Sequence, residues 1–249
     1  MENKIFECAI IPFQMIKPLS KHRKVVFCFS LVQLAESSKE VTRILTKINE
    51  LHIISNGKMP IEQLREILID IYPYVTSIHL REKQKTAREL FQAVNLLSKD
   101  IPLSKIIIND RVDVAFAAKT AGVQLAYHSL DQAIVKKEFP SLRVGSSIHS
   151  YQDGENALRD GADYVLFGHV YPSRSKPGKT PKGIEELSKV AKLPIPVIAI
   201  GGITPENTKS VIEAGANGIA VMSGVLDSSD PILAVKAYVH ALKDGDGKR

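Results

Sequence analysis

The sequence predicts an α/β protein, built as a single closed (β/α)8 barrel (a TIM barrel) behind an extra N-terminal segment. From residue 49 onward, β-like runs and amphipathic helical runs alternate without a break, and they form eight pairs. The chain has 249 residues, and about 250 residues is a usual length for a barrel that folds as one domain. A doubly wound open sheet would alternate in the same way, but eight uninterrupted units favour closure.

Several predicted strands are apolar almost throughout, which is typical of parallel strands buried on both faces. The eight strands are predicted at 50–56, 76–82, 105–110, 122–128, 143–149, 163–170, 196–202 and 217–224. Each precedes a helical pattern, and the eight patterns cover 60–72, 86–98, 112–122, 130–139, 151–161, 183–192, 204–215 and 230–243. Pro60 suits the first turn of its helix, and Thr86 with Glu89 predicts a capping box.

Residues 1–48 do not share this alternation, so we expect an N-terminal extension followed by a barrel domain at 49–249. The extension contains a basic cluster at 21–24 and an apolar run at 25–35. Three interpretations stay open: a secretory signal, an extra helix with a capping box at Ser37 and Glu40, or upstream sequence included by an early start assignment. The third is preferred for residues 1–44.

Composition excludes several classes of function. Eight of the 33 Lys/Arg and four of the 27 Asp/Glu lie in residues 1–48, so the rest of the chain is nearly balanced in charge. The net charge of +6 is therefore not a nucleic-acid footprint. No run of 18 apolar residues is present, so no membrane span is expected. Only Cys8 and Cys28 occur, which predicts no disulfide framework, no cysteine zinc site and a cytoplasmic location.

Reactive groups of a barrel lie at the carboxyl ends of its strands, where the βα loops form the mouth. Four of the seven histidines fall at predicted strand ends. A structural role is the simpler interpretation for His79 and His128. For His169, a structural role and a contact with the substrate fit equally well. The other polar groups at strand ends are Arg81, Lys83, Asn109, Asp110, Tyr127 and Ser129.

His149 is the candidate catalytic residue, in the stretch GSSIHS (145–150). Its small neighbours leave volume for a ligand, and strand alternation places Ser147 on the same face. Imidazole is the only group in this stretch that exchanges a proton near pH 7. We therefore expect His149 to line an active site.

A phosphate site is predicted after the last two strands of the barrel. Gly201 and Gly202 precede a helix that begins near Pro205, and Ser223 with Gly224 precedes another turn or helix. Backbone N–H groups at such positions bind phosphate, commonly after strands 7 and 8 of barrels. The basic loop 171–183 follows strand 6, and its position predicts a flap that closes on an anionic substrate.

Six motifs follow one another along about residues 50–243: IHLREK (78–83), INDRVDVA (108–115), VGSSIHS (144–150), GADYVLFGHVYPSRSK (161–176), PVIAIGGITPEN (196–207) and GIAVMSG (218–224). In this order they resemble the thiamine phosphate synthase superfamily, and more closely its thiazole tautomerase branch. The resemblance implies a (β/α)8 barrel. It also implies one of two reactions: the joining of a pyrimidine pyrophosphate to a thiazole phosphate with Mg²⁺, or a proton shift that makes a thiazole phosphate aromatic.

Two departures from the synthases favour the tautomerase branch. Asp110 matches one synthase metal ligand, but AYHS (126–129) places Ser129 where the synthases have a second carboxylate. One carboxylate is a poor site for Mg²⁺, which prefers several oxygen ligands. The FGHV segment also resembles the tautomerases, whereas Lys83 and Lys176 resemble pyrophosphate contacts of the synthases.

The resemblance implies that His149 is the acid and base, with no metal and no organic cofactor. Arg81 is the candidate for the substrate carboxylate, and the predicted substrate-binding set is completed by Lys83, Asn109, Asp110, His128, His169 and Lys176. The partner is a small phosphorylated thiazole, and relatives suggest a homodimer. A working Mg²⁺-dependent synthase and a non-catalytic regulator that binds thiazole phosphate remain as alternatives.

Overall fold

The structure of the chain is a computed structural model that describes residues 49–246. The predictions for residues 1–48, including the capping box at Ser37 and Glu40, lie outside the described residues. Within the described range, no helix is long and apolar enough to cross a membrane.

Eight parallel strands close into a barrel in chain order, with β1 paired to both β2 and β8. The predicted (β/α)8 barrel is therefore confirmed. The strands are β1 (Glu50–Ile54), β2 (Ser77–Leu80), β3 (Ile106–Asn109), β4 (Gly122–Leu125), β5 (Arg143–Ile148), β6 (Tyr164–Gly168), β7 (Val197–Ile200) and β8 (Gly218–Val221).

A helix follows every strand, and one strand is followed by two helices. The helices are α1 (Ile61–Ile71), α2 (Ala87–Leu97), α3 (Val112–Ala117), α4 (Gln132–Glu138), α5 (Tyr151–Arg159), α6 (Gly183–Val190), α7 (Pro205–Glu213), α8 (Ser223–Leu226) and α9 (Pro231–Asp246). Short 3-10 turns occupy Tyr72–Tyr74 and Leu103–Lys105. The short helix α8 begins at Ser223, where the sequence predicted a turn or the start of a helix.

The core has two parts because alternate residues of each strand point in opposite directions. The larger part packs the outward faces of the strands against the helices, as at Ile53, Ile108 and Val165. The smaller part fills the barrel interior and contains Ile54, Ile107, Tyr164, Leu166, Ile198 and Ala220. The interior is thus a packed region below the mouth.

The observed strands are shorter than the predicted ones, and the difference at β4 has a local cause. After Leu125 the chain turns: the Ala126 N–H donates to Ser129 Oγ, and the Ser129 N–H donates to the Ala126 carbonyl. The pattern predicted for α3 also runs too far, because Lys119 adopts a positive φ of 54°, which a helix cannot accommodate.

Two predictions about helix starts can be compared with the structure. The capping box at Thr86 and Glu89 is confirmed, since each side chain accepts from the other residue's backbone N–H. Pro60 lies immediately before the first residue of α1 and not within its first turn. Helix α7 begins at Pro205, as predicted.

Candidate active site at the barrel mouth

His149 lies between the end of β5 and the start of α5, and its side chain is exposed at the mouth. The segment is held by two hydrogen bonds at the start of the helix. Ser150 Oγ accepts from the Asp153 N–H at 3.1 Å, and Asp153 Oδ2 accepts from the His149 N–H at 2.9 Å. The backbone of the histidine is therefore fixed by the capping of α5.

The imidazole of His149 has one nitrogen engaged and one nitrogen available. Nδ1 lies 2.6 Å from the carbonyl oxygen of Gly168, at the end of the neighbouring strand β6. A carbonyl can only accept, so Nδ1 carries the proton and donates. In the neutral ring Nε2 then has its lone pair available to take a proton, which is the state a general base needs.

The small residues before His149 do not all provide room for a ligand. A Cβ atom on Gly145 would lie 2.2 Å from the Tyr164 ring and 2.3 Å from Gln124 Oε1. Ser147 Oγ accepts from Gln124 Nε2 at 3.0 Å. The volume beside Gly145 is thus filled by interior side chains, and the expectation of empty space there is wrong.

Cationic side chains also gather at the mouth. Lys176 lies close enough to Lys179, Lys182 and Arg81 for their charges to lower its pKa, in addition to the larger effect of partial burial. Lys83 is exposed, and within residues 49–246 neither Arg81 nor Lys83 has a side-chain hydrogen bond. Mutual repulsion of these cations would be relieved by a bound anion.

The loop between β6 and α6 supplies most of these cations and forms a cleft. The cleft has a volume of about 400 Å³ and is lined by Pro172, Ser173, Arg174, Lys176, Pro177, Gly178 and Lys179. The predicted flap therefore exists as a loop with its own concave surface. Its closure on a substrate stays a prediction.

His169 is buried at the base of this loop. Its Nε2 lies 3.2 Å from the Lys179 carbonyl, and its own carbonyl accepts from the Lys182 N–H. Its Nδ1 is buried without a hydrogen-bond partner. These contacts hold the C-terminal part of the basic loop against the residue that follows β6, and a substrate contact by His169 stays a prediction.

The predicted phosphate site lies at the ends of β7 and β8. Gly201 and Gly202 have positive φ angles of 98° and 67°, and Asn207 at the start of α7 donates to the Gly202 carbonyl at 2.9 Å. Ser223 and Gly224 are exposed and open α8. The first N–H groups of a helix have no partner inside it, so these positions offer donors to an anion.

Asn109 is the last residue of β3, and Asp110 and His128 follow β3 and β4. His128 Nε2 is 3.9 Å from Asp110 Oδ2, and these side chains are 48% and 41% exposed. Asp110 adopts a positive φ of 68°. Phosphate-bound Mg²⁺ would need further oxygen ligands, yet no group of three His, Cys, Asp or Glu able to hold a metal occurs in residues 49–246. The expectation of a metal-free reaction stays a prediction, because Mg²⁺ in enzymes is usually held by one or two carboxylates together with substrate phosphates.

The sequence interpretation missed a polar cluster inside the barrel. Glu50 accepts from both terminal nitrogens of Arg143, at 2.8 and 3.0 Å, and lies 2.8 Å from His52 Nε2. Hydrogen bonding with His52 and Arg143 outweighs burial and lowers the pKa of Glu50 to about 2. His79 and Tyr164 complete the cluster. Period-two spacing in ELHIIS does place Glu50 and His52 on one strand face, but it does not reveal Arg143.

Comparison with known proteins agrees with this barrel. The family described as thiamine monophosphate synthase matches residues 48–225. The thiamine-phosphate synthase of Pyrococcus furiosus is 33% identical over 187 residues, which cover 73% of this chain and 88% of that protein. The thiamine-phosphate synthase of Chlorobium luteolum is 40% identical over 181 residues, which cover 68% of this chain and 84% of that protein.

Comparison with a solved structure agrees with these sequence relatives. The thiamine phosphate pyrophosphorylase from Pyrococcus furiosus superposes with a TM-score of 0.69 at 31% sequence identity, and the alignment covers 81% of this chain and 98% of that chain. Family match, sequence relatives and structure all span the barrel. The chain therefore belongs to the thiamine monophosphate synthase family.

Proposed function

We propose that this member of the thiamine biosynthesis family is a thiazole tautomerase, an isomerase that moves one proton in a phosphorylated dihydrothiazole carboxylate. The observation that supports it most is the His149 ring, whose Nδ1 is held by the Gly168 carbonyl while Nε2 is left available. The product is the aromatic 2-(2-carboxy-4-methylthiazol-5-yl)ethyl phosphate.

A single imidazole is sufficient for this reaction. Nε2 of His149 removes the proton from the ring carbon that bears the carboxylate, and the electron pair of that C–H bond delocalises toward the exocyclic double bond. The resulting imidazolium returns the proton to the exocyclic carbon, and the ring becomes aromatic. Positioned proton transfer of this kind contributes about 10²–10⁴-fold to a rate.

The remaining groups of the mouth would bind the two anionic ends of this substrate. Backbone N–H groups at Gly201, Gly202, Ser223 and Gly224 are suited to the phosphate. Arg81 is suited to the carboxylate because its guanidinium can donate two parallel hydrogen bonds. Lys176 adds positive charge beside Arg81.

Thiamine phosphate synthase itself is the second candidate, and two observations favour it. The relatives with the sequence identities given above carry that name. The cluster formed by Arg81, Lys176, Lys179 and Lys182 also suits a pyrophosphate. Against it stands Ser129, whose hydroxyl accepts from the Ala126 N–H where a synthase would present a carboxylate.

A paired assay of the purified chain separates the two candidates. Ultraviolet absorbance would follow formation of the aromatic thiazole in the presence of a chelator, after subtraction of the spontaneous rate. Pyrophosphate release would be measured with Mg²⁺ and the two synthase substrates, and again with Asp110→Ala.

The tautomerase proposal expects isomerisation without metal and no pyrophosphate release above background. Release of pyrophosphate that requires Mg²⁺ and is lost in Asp110→Ala, without any isomerisation, would establish the synthase instead. If neither reaction occurs but thiazole phosphate binds, the protein is a ligand-binding regulator and both enzymatic proposals fail.

A further inference from the structure

A continuous chain of hydrogen bonds runs through the barrel interior from β1 to β2. Glu50 Oε2 lies 2.8 Å from His52 Nε2, and His52 Nδ1 lies 2.9 Å from His79 Nε2. Both histidines are fully buried. At the far end, His79 Nδ1 is buried without a hydrogen-bond partner.

The charge on Glu50 sets the direction of every hydrogen bond in this chain. An ionised carboxylate can only accept, so His52 Nε2 must donate to it. Burial lowers the pKa of His52 in spite of Glu50, and the neutral ring then has only a lone pair at Nδ1. His79 Nε2 must therefore donate to His52, which leaves His79 Nδ1 as an acceptor.

Asn109 lies close to His79, and no hydrogen bond joins His79 Nδ1 to the Asn109 oxygen. It is the last residue of β3 and shares the inward strand face with Ile107, which pairs with His79 across the sheet. Burial lowers the pKa of His79 well below its usual value, and the Asn109 side chain lies close enough to oppose that effect. The amide oxygen of Asn109 is likewise buried without a partner.

An arrangement in which both acceptor atoms lack a donor is unfavourable. The oxygen and nitrogen of an asparagine amide are interchanged by a half-turn of the group, and the hydrogen-bond network decides between them. The half-turn brings the amide N–H to His79 Nδ1 and gives both side chains a complementary partner.

We propose that His79 is a positioning residue of the candidate active site: it accepts a hydrogen bond from the Asn109 amide and thereby turns the Asn109 oxygen toward the mouth. The mouth then presents a fixed acceptor at the end of β3. Glu50, which lies at the opposite end of the barrel strands, acts on that orientation through His52. The hydrogen-bond directions stand without the proposed isomerase activity, whereas the kinetic test below rests on it.

Nuclear magnetic resonance tests the directions without substrate. In the full chain labelled with ¹⁵N-histidine, two-bond proton–nitrogen spectra at neutral pH should show His52 and His79 both neutral and both protonated at Nε2. Substitution of the exposed His240 by Gln serves as the assignment control and should leave these two rings unchanged. Protonation of His79 at Nδ1, or a cationic His52, would overturn the proposal.

Kinetics test whether His79 acts through Asn109. His79→Leu and Asn109→Ala should each raise KM for the isomerisation by roughly 10-fold, the usual effect of losing one buried hydrogen bond. The double variant should lose no more than either single variant, because the two residues serve one interaction. His79→Gln can both donate and accept, so it should recover most of the loss.

The outcomes distinguish this proposal from the proposed function. Independent, multiplying losses in the double variant would show that His79 has only a structural role. If the wild-type chain shows no isomerisation, the proposed function fails, while the imidazole spectra still decide the hydrogen-bond directions.

Discussion

The mouth and the interior of the barrel contain the same kinds of side chain in opposite situations. At the mouth, Arg81 and Lys83 have no side-chain hydrogen bond within residues 49–246, and one nitrogen of His149 is available. In the interior, Arg143 is paired twice with Glu50, and His52 is bonded at both nitrogens. Polar groups that the protein pairs with each other serve its structure, whereas those left unpaired in a cleft can bind a ligand.

The largest effect should come from removing the available imidazole at the mouth. His149→Ala is expected to lower the isomerisation rate by about 10²–10⁴-fold, because the proton carrier is lost. The free energy of unfolding should hardly change, since the side chain is exposed. Ultraviolet assays corrected for the spontaneous rate measure the first quantity, and chemical denaturation measures the second.

The control is His240→Ala, which removes an exposed histidine of α9 that pairs with Asp244. It should retain wild-type isomerisation. Near-normal activity of His149→Ala would contradict the role assigned to this imidazole.

The interior should show the reverse pattern, a large effect on stability. Glu50→Ala leaves Arg143 and His52 without their acceptor, and we expect the free energy of unfolding to fall by about 3 kcal/mol. That value is at the lower end for a buried pair because the Arg143 side chain is 33% exposed. Glu186→Ala, which removes a surface pair with Lys189, should cost at most about 0.5 kcal/mol. Equal losses of unfolding free energy in Glu50→Ala and Glu186→Ala would contradict the difference between the interior pair and the surface pair.

A smaller loss of stability is expected when either of two glycines with positive φ is replaced by alanine, and the loss should differ between the two. Gly201→Ala combines backbone strain with a Cβ only 2.3 Å from the Cβ of His169, whereas Gly178→Ala meets nothing within 4 Å. Strain alone costs about 1–2 kcal/mol, so Gly178→Ala should lose that much stability and Gly201→Ala more. Gly201→Ala should also weaken binding of inorganic phosphate, measured by calorimetry, and unchanged binding would count against the phosphate site.

The smallest predicted effect is the pH dependence of stability that comes from the ionisation of the Glu50 carboxyl group. Its pKa is lowered from 4.5 to about 2 in the folded chain, so its contribution to stability is complete above about pH 4.5 and is lost as the pH falls toward 2. Between these pH values, wild-type stability should decline more steeply than that of Glu50→Gln. Denaturation curves at several pH values test this, and parallel declines would show that Glu50 is not coupled to folding.

Prediction from sequence succeeded where the determinant is local. The alternation of apolar strands with amphipathic helices was sufficient for the barrel, and the Thr86 capping box was readable from a four-residue spacing. It failed at Gly145, because the side chains of Tyr164 and Gln124 that fill the space beside it come from two other strands. The end of β4 was also overextended, because the turn at 126–129 depends on a specific hydrogen bond from the Ala126 N–H to Ser129 Oγ that the alternation of apolar residues does not reveal.

By itself, the sequence determined the order of the elements, the strand ends to within three residues and hence the set of residues that can reach the mouth. Only the tertiary structure decided which of those residues are hydrogen-bonded within the protein and which are left to bind a ligand. Glu50 and Arg143 are 93 residues apart in the chain, and His149 meets Gly168 at the ends of two neighbouring strands. Such pairings follow from closure and register of the barrel, and no local pattern of residues encodes them.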